Sequence, residues 1–119
     1  MLMMGFGTMY NQGDILLIPI PFSDLTSSKR RPVLILSNSL YNQKTEDLVV
    51  AAVTSNLIEK DYSVLFSNDD MLEGNLKIPS MIRADKIYTL SKLIVIKKFG
   101  SVKPEIVEQV KQKVFELLK

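Results

Sequence analysis

From Asp14 to Phe99 the sequence is a series of short apolar runs, each closed by a polar, turn-rich segment, and one helix-period stretch follows at the end. That order constrains the fold more than any other feature. Parallel strands need long, usually helical crossovers, whereas antiparallel strands are joined by tight turns. With a single helix, placed last, most pairings are expected to be antiparallel, and short strands punctuated by turns indicate a small barrel. The expected class is mainly β (α+β), in one domain: a chain of 119 residues buries roughly two thirds of its unfolded surface, enough for one core.

The runs are read in order. Gly13-Asp14 is a turn signal, and Ile15 to Phe22 is a first strand whose prolines at 19 and 21 place it at an edge or bend it around a barrel corner. Ser23 to Lys29 is a solvent-facing loop. Pro32 to Ser37 and Leu48 to Thr54 are strands too uniformly apolar to face water, joined by the polar segment Asn38 to Thr45. Tyr62 to Phe66 is a shorter strand, and Ser67 to Asn75 is a turn holding one helical turn. Ser80–Ala84 with its continuation Lys86–Leu90, and then Leu93–Phe99, complete the sheet. The closing helix has Pro104 near its first position, Glu105 in its first turn and an apolar face of Val107, Val110, Val114, Leu117 and Leu118. The opening Met1 to Thr8 has no basic n-region and is too short to span a bilayer. Residues 1–12 are expected to be a poorly ordered extension, with Met9 an equally sensible start, and residues 13–119 the domain.

Composition narrows the chemistry. There is no cysteine, which excludes disulfides, thiolate zinc sites and cysteine nucleophiles and makes a reducing cytoplasm the default. There is no histidine either, so the usual general base near neutral pH and the commonest metal ligand are both missing. The formal net charge is only +2, so any anion site must be local.

One local site stands out. Lys29-Arg30-Arg31 runs directly into the apolar Pro32–Ser37 strand, and Pro32 fixes the backbone behind Arg31. A run of three cations is ordinarily a solvated loop end; a rigidly based arginine, whose planar fork pairs bidentately with phosphate oxygens, suits phosphate recognition. Thr54-Ser55 closes the third strand, where hydroxyls often bond local backbone. If the second and third strands are antiparallel neighbours, Arg31 and Thr54 meet at one rim as a phosphate or oxyanion site. Asp69, Asp70 and Glu73 lack calcium-loop spacing and read as a solvated turn. Arg83 and Asp85 read as members of cross-strand ion pairs. Phe22 and Tyr88 could stack bases, although packing is the commoner fate of single aromatics.

With these residues in view the chain resembles the MazF/PemK family, the toxin half of bacterial type II toxin-antitoxin pairs. The resemblance is carried by Gly13-Asp14-Ile15, Arg31-Pro32-Val33-Leu34-Ile35-Leu36-Ser37, Tyr41-Asn42, Ala52-Val53-Thr54-Ser55, and Asp85-Lys86-Ile87-Tyr88-Thr89-Leu90-Ser91-Lys92, in the family's order. It implies a small SH3-like β-barrel with a C-terminal amphipathic helix, a homodimer, and a metal-independent endoribonuclease without cofactor. The implied substrate is single-stranded RNA, mRNA first, with tRNA and rRNA left open. It further implies inhibition of translation, and neutralisation by a cognate antitoxin through an acidic, disordered segment. The family's active-site pair maps onto Arg31 and Thr54, with Ser55 a weaker candidate. Lys29, Arg30 and Lys86 are expected to assist substrate binding, with Phe22 and Asp24 from the loop, Asp24 being the carboxylate considered as proton acceptor. The chain departs from many members in two places. Phe22 to Lys29 replaces a Gly-Glu-rich loop, and Tyr88 replaces an arginine, so the cleavage sequence does not carry over. The rival is a non-enzymatic, gyrase-poisoning toxin of the CcdB type on the same fold, with an aromatic anchor at the end of the last helix; this chain has no tryptophan.

Overall fold

A computed structural model describes residues 9–19, 29–58 and 61–119. Seven strands form one sheet: β1 (Asp14–Pro19), β2 (Arg30–Ile35), β3 (Asp47–Thr54), β4 (Ser63–Phe66), β5 (Met71–Glu73), β6 (Ser80–Ser91) and β7 (Lys97–Val102). Their order is β4-β6-β3-β2-β1-β7-β5, and every pairing is antiparallel. The sheet curls into a half-barrel, and helix α2 (Pro104–Leu118) packs against one of its faces. The expected mainly β architecture is therefore the one the chain adopts.

Side-chain alternation sorts the strands onto two faces. Ile15, Leu34, Ala51, Val53, Val64, Phe66 and Ile82 form the larger core and are sealed by Ile106, Val107 and Val110 of α2. Leu16, Ile18, Val33, Ile35, Leu48 and Val50 form a second cluster on the opposite face, covered by Tyr10, Leu90 and Val95. Because β2 and β3 are buried on both faces, they read in sequence as continuous apolar runs rather than alternating ones.

Several expectations need correction. Of the two positions expected for the first strand, the edge does not hold: β1 pairs with β2 from Ile15 to Pro19 and with β7 from Asp14 to Leu17. Its expected continuation to Phe22 and the loop that follows it, up to residue 28, lie outside the described residues. Pro19 is tolerated because β7 has left the ladder by then, so no neighbour asks for its missing N–H. A second helix, α1 (Ser39–Lys44), lies in the segment read as a polar connection, started by Asn38, whose side chain accepts the Tyr41 N–H at 2.9 Å. The run Leu93–Phe99 is not a strand as such; a 3-10 turn occupies Lys92–Ile94, and β7 begins only at Lys97 and continues through Gly100 to Val102. The turn after β4 does hold one 3-10 turn, Asn68–Asp70, but runs on into the short β5. On α2, Leu118 lies outside the buried face.

Two of the sequence motifs are structural devices. Gly13 has φ +95°, and a Cβ there would come within 3.0 Å of Val107 Cγ2, so the turn into β1 needs glycine for both reasons. Buried Asp14 accepts the Asn11 N–H at 2.9 Å and pairs with Lys98 at 3.4 Å; Glu73 meets the same ammonium at 3.4 Å. Burial by itself would lower the Lys98 pKa, but the two carboxylates outweigh it and the value is raised. Tyr10 and Gln12 are tied in as well, by Asn42 Nδ2 to the Tyr10 carbonyl (3.0 Å) and Gln12 Nε2 to the Leu36 carbonyl (2.7 Å).

Candidate active site

The register of β2 on β3 runs Val33↔Ala52, Leu34↔Ala51, Ile35↔Val50. Continued by two residues it sets Arg31 against Thr54, and both side chains line one groove of about 600 Å³. Ile18, Pro19, Val33, Ile58, Met81, Leu90 and Ile94 supply its apolar wall. Arg31 stands exposed at the start of β2, with its apolar successors Val33 to Ile35 buried behind it. Among the described residues nothing pairs with its guanidinium. Thr54 Oγ1 accepts the Asn56 N–H at 3.0 Å, the local bond common for a hydroxyl at a strand end, and this leaves the hydroxyl proton for donation outward.

Lys86 and Arg83 also line the groove, and among the described residues no carboxylate does. Arg31 and Lys86 on an apolar wall give a positive, partly desolvated site in which charge–phosphate contacts are stronger than in open water, whereas the charge of Arg83 is offset by a carboxylate. Arg83 and Asp85 pair with each other along β6 rather than with a neighbouring strand: Nε to Oδ1 at 2.8 Å and Nη2 to Oδ2 at 2.9 Å. That fork-to-carboxylate bond holds Asp85 below the usual carboxylate range and raises Arg83.

The structure thus brings Arg31, Thr54 and Lys86 together. It does not bring in Ser55, Lys29 or Arg30, which are exposed outside the groove wall. Phe22 and Asp24 lie outside the described residues. Asn42 of the Tyr41-Asn42 motif is buried and belongs to the framework. Arg83, read from the sequence only as an ion-pair member, reaches the groove because β6 pairs with β3 in the register Thr54↔Met81, Ala52↔Arg83, a long-range pairing that no local pattern announces. Tyr88, weighed only as a weak stacking candidate, lines the groove as well.

Comparison with known proteins supplies a family. The model of the PemK-like, MazF-like toxins of type II toxin-antitoxin systems matches residues 11–118. The chain belongs to that family. Solved structures agree in fold with this MazF-like toxin. An endoribonuclease in complex with its cognate antitoxin, from a mycobacterial species, superposes with a TM-score of 0.75 at 21% identity over 92% of this chain and 94% of that one. A MazE-MazF complex from Deinococcus radiodurans gives 0.76 at 20% identity over 93% and 97%. A mycobacterial endoribonuclease gives 0.74 at 24% identity over 95% and 94%. No curated protein sequence matches the chain significantly. No helix among the described residues is long and apolar enough to cross a membrane.

Proposed function

We propose that this MazF-like toxin is a sequence-selective, metal-independent endoribonuclease of single-stranded RNA, acting in the cytoplasm as a homodimer and restrained by a cognate antitoxin with an acidic, disordered segment. The observation that carries the reading is that the guanidinium of Arg31, which pairs with nothing among the described residues, and a donor hydroxyl, Thr54, line one groove together with further cations. Family membership and the endoribonuclease relatives are in keeping with it.

In this reaction the ribose 2'-oxygen attacks the adjacent phosphorus in line, a new P–O bond forms, and the bond to the 5'-oxygen breaks, leaving a 2',3'-cyclic phosphate and a 5'-hydroxyl. Catalysis is mostly positioning and charge stabilisation. Arg31 neutralises the phosphorane charge and hydrogen-bonds the leaving 5'-oxygen, which takes its proton from water; Thr54 donates to a non-bridging oxygen. A guanidinium stays protonated at any working pH, so the 2'-hydroxyl proton goes to another acceptor, for which Asp24 is the proposed carboxylate.

The test is incubation of pure protein with a mixed RNA in excess chelator, followed by sequencing of the ends. Cyclic-phosphate ends at a recurring motif are expected; intact RNA defeats the proposal. Arg31→Ala and Thr54→Val should each cost roughly 10²–10³-fold in cleavage rate with unchanged thermal melting.

One observation favours the CcdB-type reading: Phe115 and Leu118, at the end of α2, are 62% and 77% exposed, where a protein-binding anchor would stand. Growth arrest that survives Arg31→Ala but is lost in Phe115→Ala would decide for it.

A further inference from the structure

β6 carries a break in register that rearranges what faces the groove. Against β3 it pairs Thr54↔Met81, Val53↔Ile82 and Ala52↔Arg83, then jumps to Ala51↔Ile87 and Val50↔Tyr88, so residues 84–86 have no partner opposite. Five residues apart in an unbroken strand, Arg83 and Tyr88 would point to opposite faces. The bulge sets them opposite Ala52 and Val50 instead, two ladder positions apart and on the same face. Both line the groove that holds Arg31 and Thr54. Counted along β3 from Thr54, Arg83 comes one same-face step away and Tyr88 a second, each step about 7 Å.

The state of each side chain suits a ligand. Arg83 spends Nε and Nη2 on Asp85, which fixes the guanidinium plane and leaves the donors of Nη1. Tyr88 is 40% exposed on the groove wall, an aromatic surface with no place in either buried cluster.

We propose that Arg83 and Tyr88 form a nucleotide subsite beside the Arg31–Thr54 pair, Arg83 holding a phosphate next to the scissile one and Tyr88 stacking on a base beyond it. The proposal rests on the nuclease reading and adds the part of the groove that sets affinity and base preference. Asp85 is the positioning residue: it aims Arg83 and touches no substrate. Every base has a π-face, so stacking alone gives affinity with mild preference, while the Tyr88 hydroxyl adds an edge contact that can discriminate.

The test uses equilibrium binding, so that it does not depend on turnover. A fluorescent, fully 2'-O-methylated single-stranded RNA of mixed sequence cannot undergo 2'-hydroxyl attack, and its anisotropy is read with the wild-type protein and with Tyr88→Ala, Tyr88→Phe, Arg83→Met and Arg83→Lys. Tyr88→Ala is expected to weaken binding roughly tenfold or more, and Tyr88→Phe to restore most of it through the ring. Arg83→Met is expected to weaken binding and to reduce the slope of log affinity against log salt by about 0.7, the value of one phosphate contact on a single strand, whereas Arg83→Lys keeps the slope. Affinity within about twofold of wild type in both Tyr88→Ala and Arg83→Met, or an unchanged salt slope in Arg83→Met, overturns the subsite. Failure of the nuclease reading shows separately, as wild-type protein that leaves ordinary RNA intact.

Discussion

Asn42 shows how a motif residue can be indispensable without touching chemistry. It is 2% exposed; its Oδ1 accepts the Ser37 hydroxyl, and its Nδ2 donates to the Tyr10 and Ser37 carbonyls, each at 3.0 Å. Ser37 Oγ in turn accepts the Val49 N–H at 3.0 Å, so the amide links the segment before β1, the end of β2 and β3. Asn42→Ala strands buried acceptors, and each unsatisfied group costs about 1–3 kcal/mol; the denaturation midpoint should fall while RNA cleavage per folded molecule stays at the wild-type level. Arg83–Asp85 gives a prediction of a different kind. Asp85 is held below its ordinary value by Arg83, so the bond's contribution is fully present above the unfolded aspartate value of about 4 and is lost as pH falls through the depressed folded value. The stability gap between wild type and Asp85→Asn, measured by urea unfolding, should therefore be widest near neutrality and close in acid. A gap independent of pH would mean that the ion pair is not its source. The two partners are solvent-accessible, so the gap is small at any pH.

At the scale of elements, legibility followed how local the determining physics is. α2 could be read directly, because Pro104 starts it and Val107, Val110 and Val114 recur at helical spacing. Its energetic weight is uneven: Ile106 is fully packed into the larger core, so Ile106→Ala should cost about 2–5 kcal/mol. Leu118→Ala, at a position that is 77% exposed, should shift stability by no more than about 0.5 kcal/mol in the same thermal melts. β2 and β3 were equally plain, and their antiparallel register is what sets Arg31 against Thr54. By contrast α1 has six residues, too few for a period to declare itself, and is held by a cap and by Asn42 rather than by an apolar stripe. Leu93–Phe99 misled because it is apolar; strand formation went instead to Lys97–Val102, whose Gly100 packs so closely on Glu73 that a Cβ there would collide with that residue's carbonyl oxygen. Close approach of two backbones is settled by tertiary pairing and leaves no period in the sequence. The β6 bulge belongs to the same class, which is why the meeting of Arg31 and Thr54 was foreseeable and the return of Tyr88 to the face of Arg83 was not.

For the whole molecule the sheet is asymmetric. α2 seals one face, while on the other the groove runs on into a stretch that a lone copy leaves uncovered. Ile96 is exposed there, Leu93 is 88% exposed, and Ile94 lines the groove itself. Scattered apolar side chains are normal on a protein surface, but a cluster beside a functional groove marks an interaction site. A second copy of the chain is the occupant the homodimer proposal names, and one seated here would turn two open grooves into a continuous channel with a site in each half. A stable contact needs on the order of 800 Å² from each partner, with its apolar residues at the centre. An aspartate in place of Leu93 would bury a charge without a partner at that centre, a cost of several kcal/mol that such an interface cannot absorb. Leu93→Asp is therefore expected to elute as a folded monomer in size-exclusion chromatography with light scattering, and the wild type at the same concentration as the proposed dimer. Its helix and sheet content should be unchanged, because Leu93 touches neither core. A wild type that is monomeric at high concentration, or a Leu93→Asp variant that remains dimeric, would place the self-association surface elsewhere or remove it. Loss of RNA cleavage together with the dimer, while Arg31 and Thr54 are intact, would mean that the channel rather than a single groove holds the substrate.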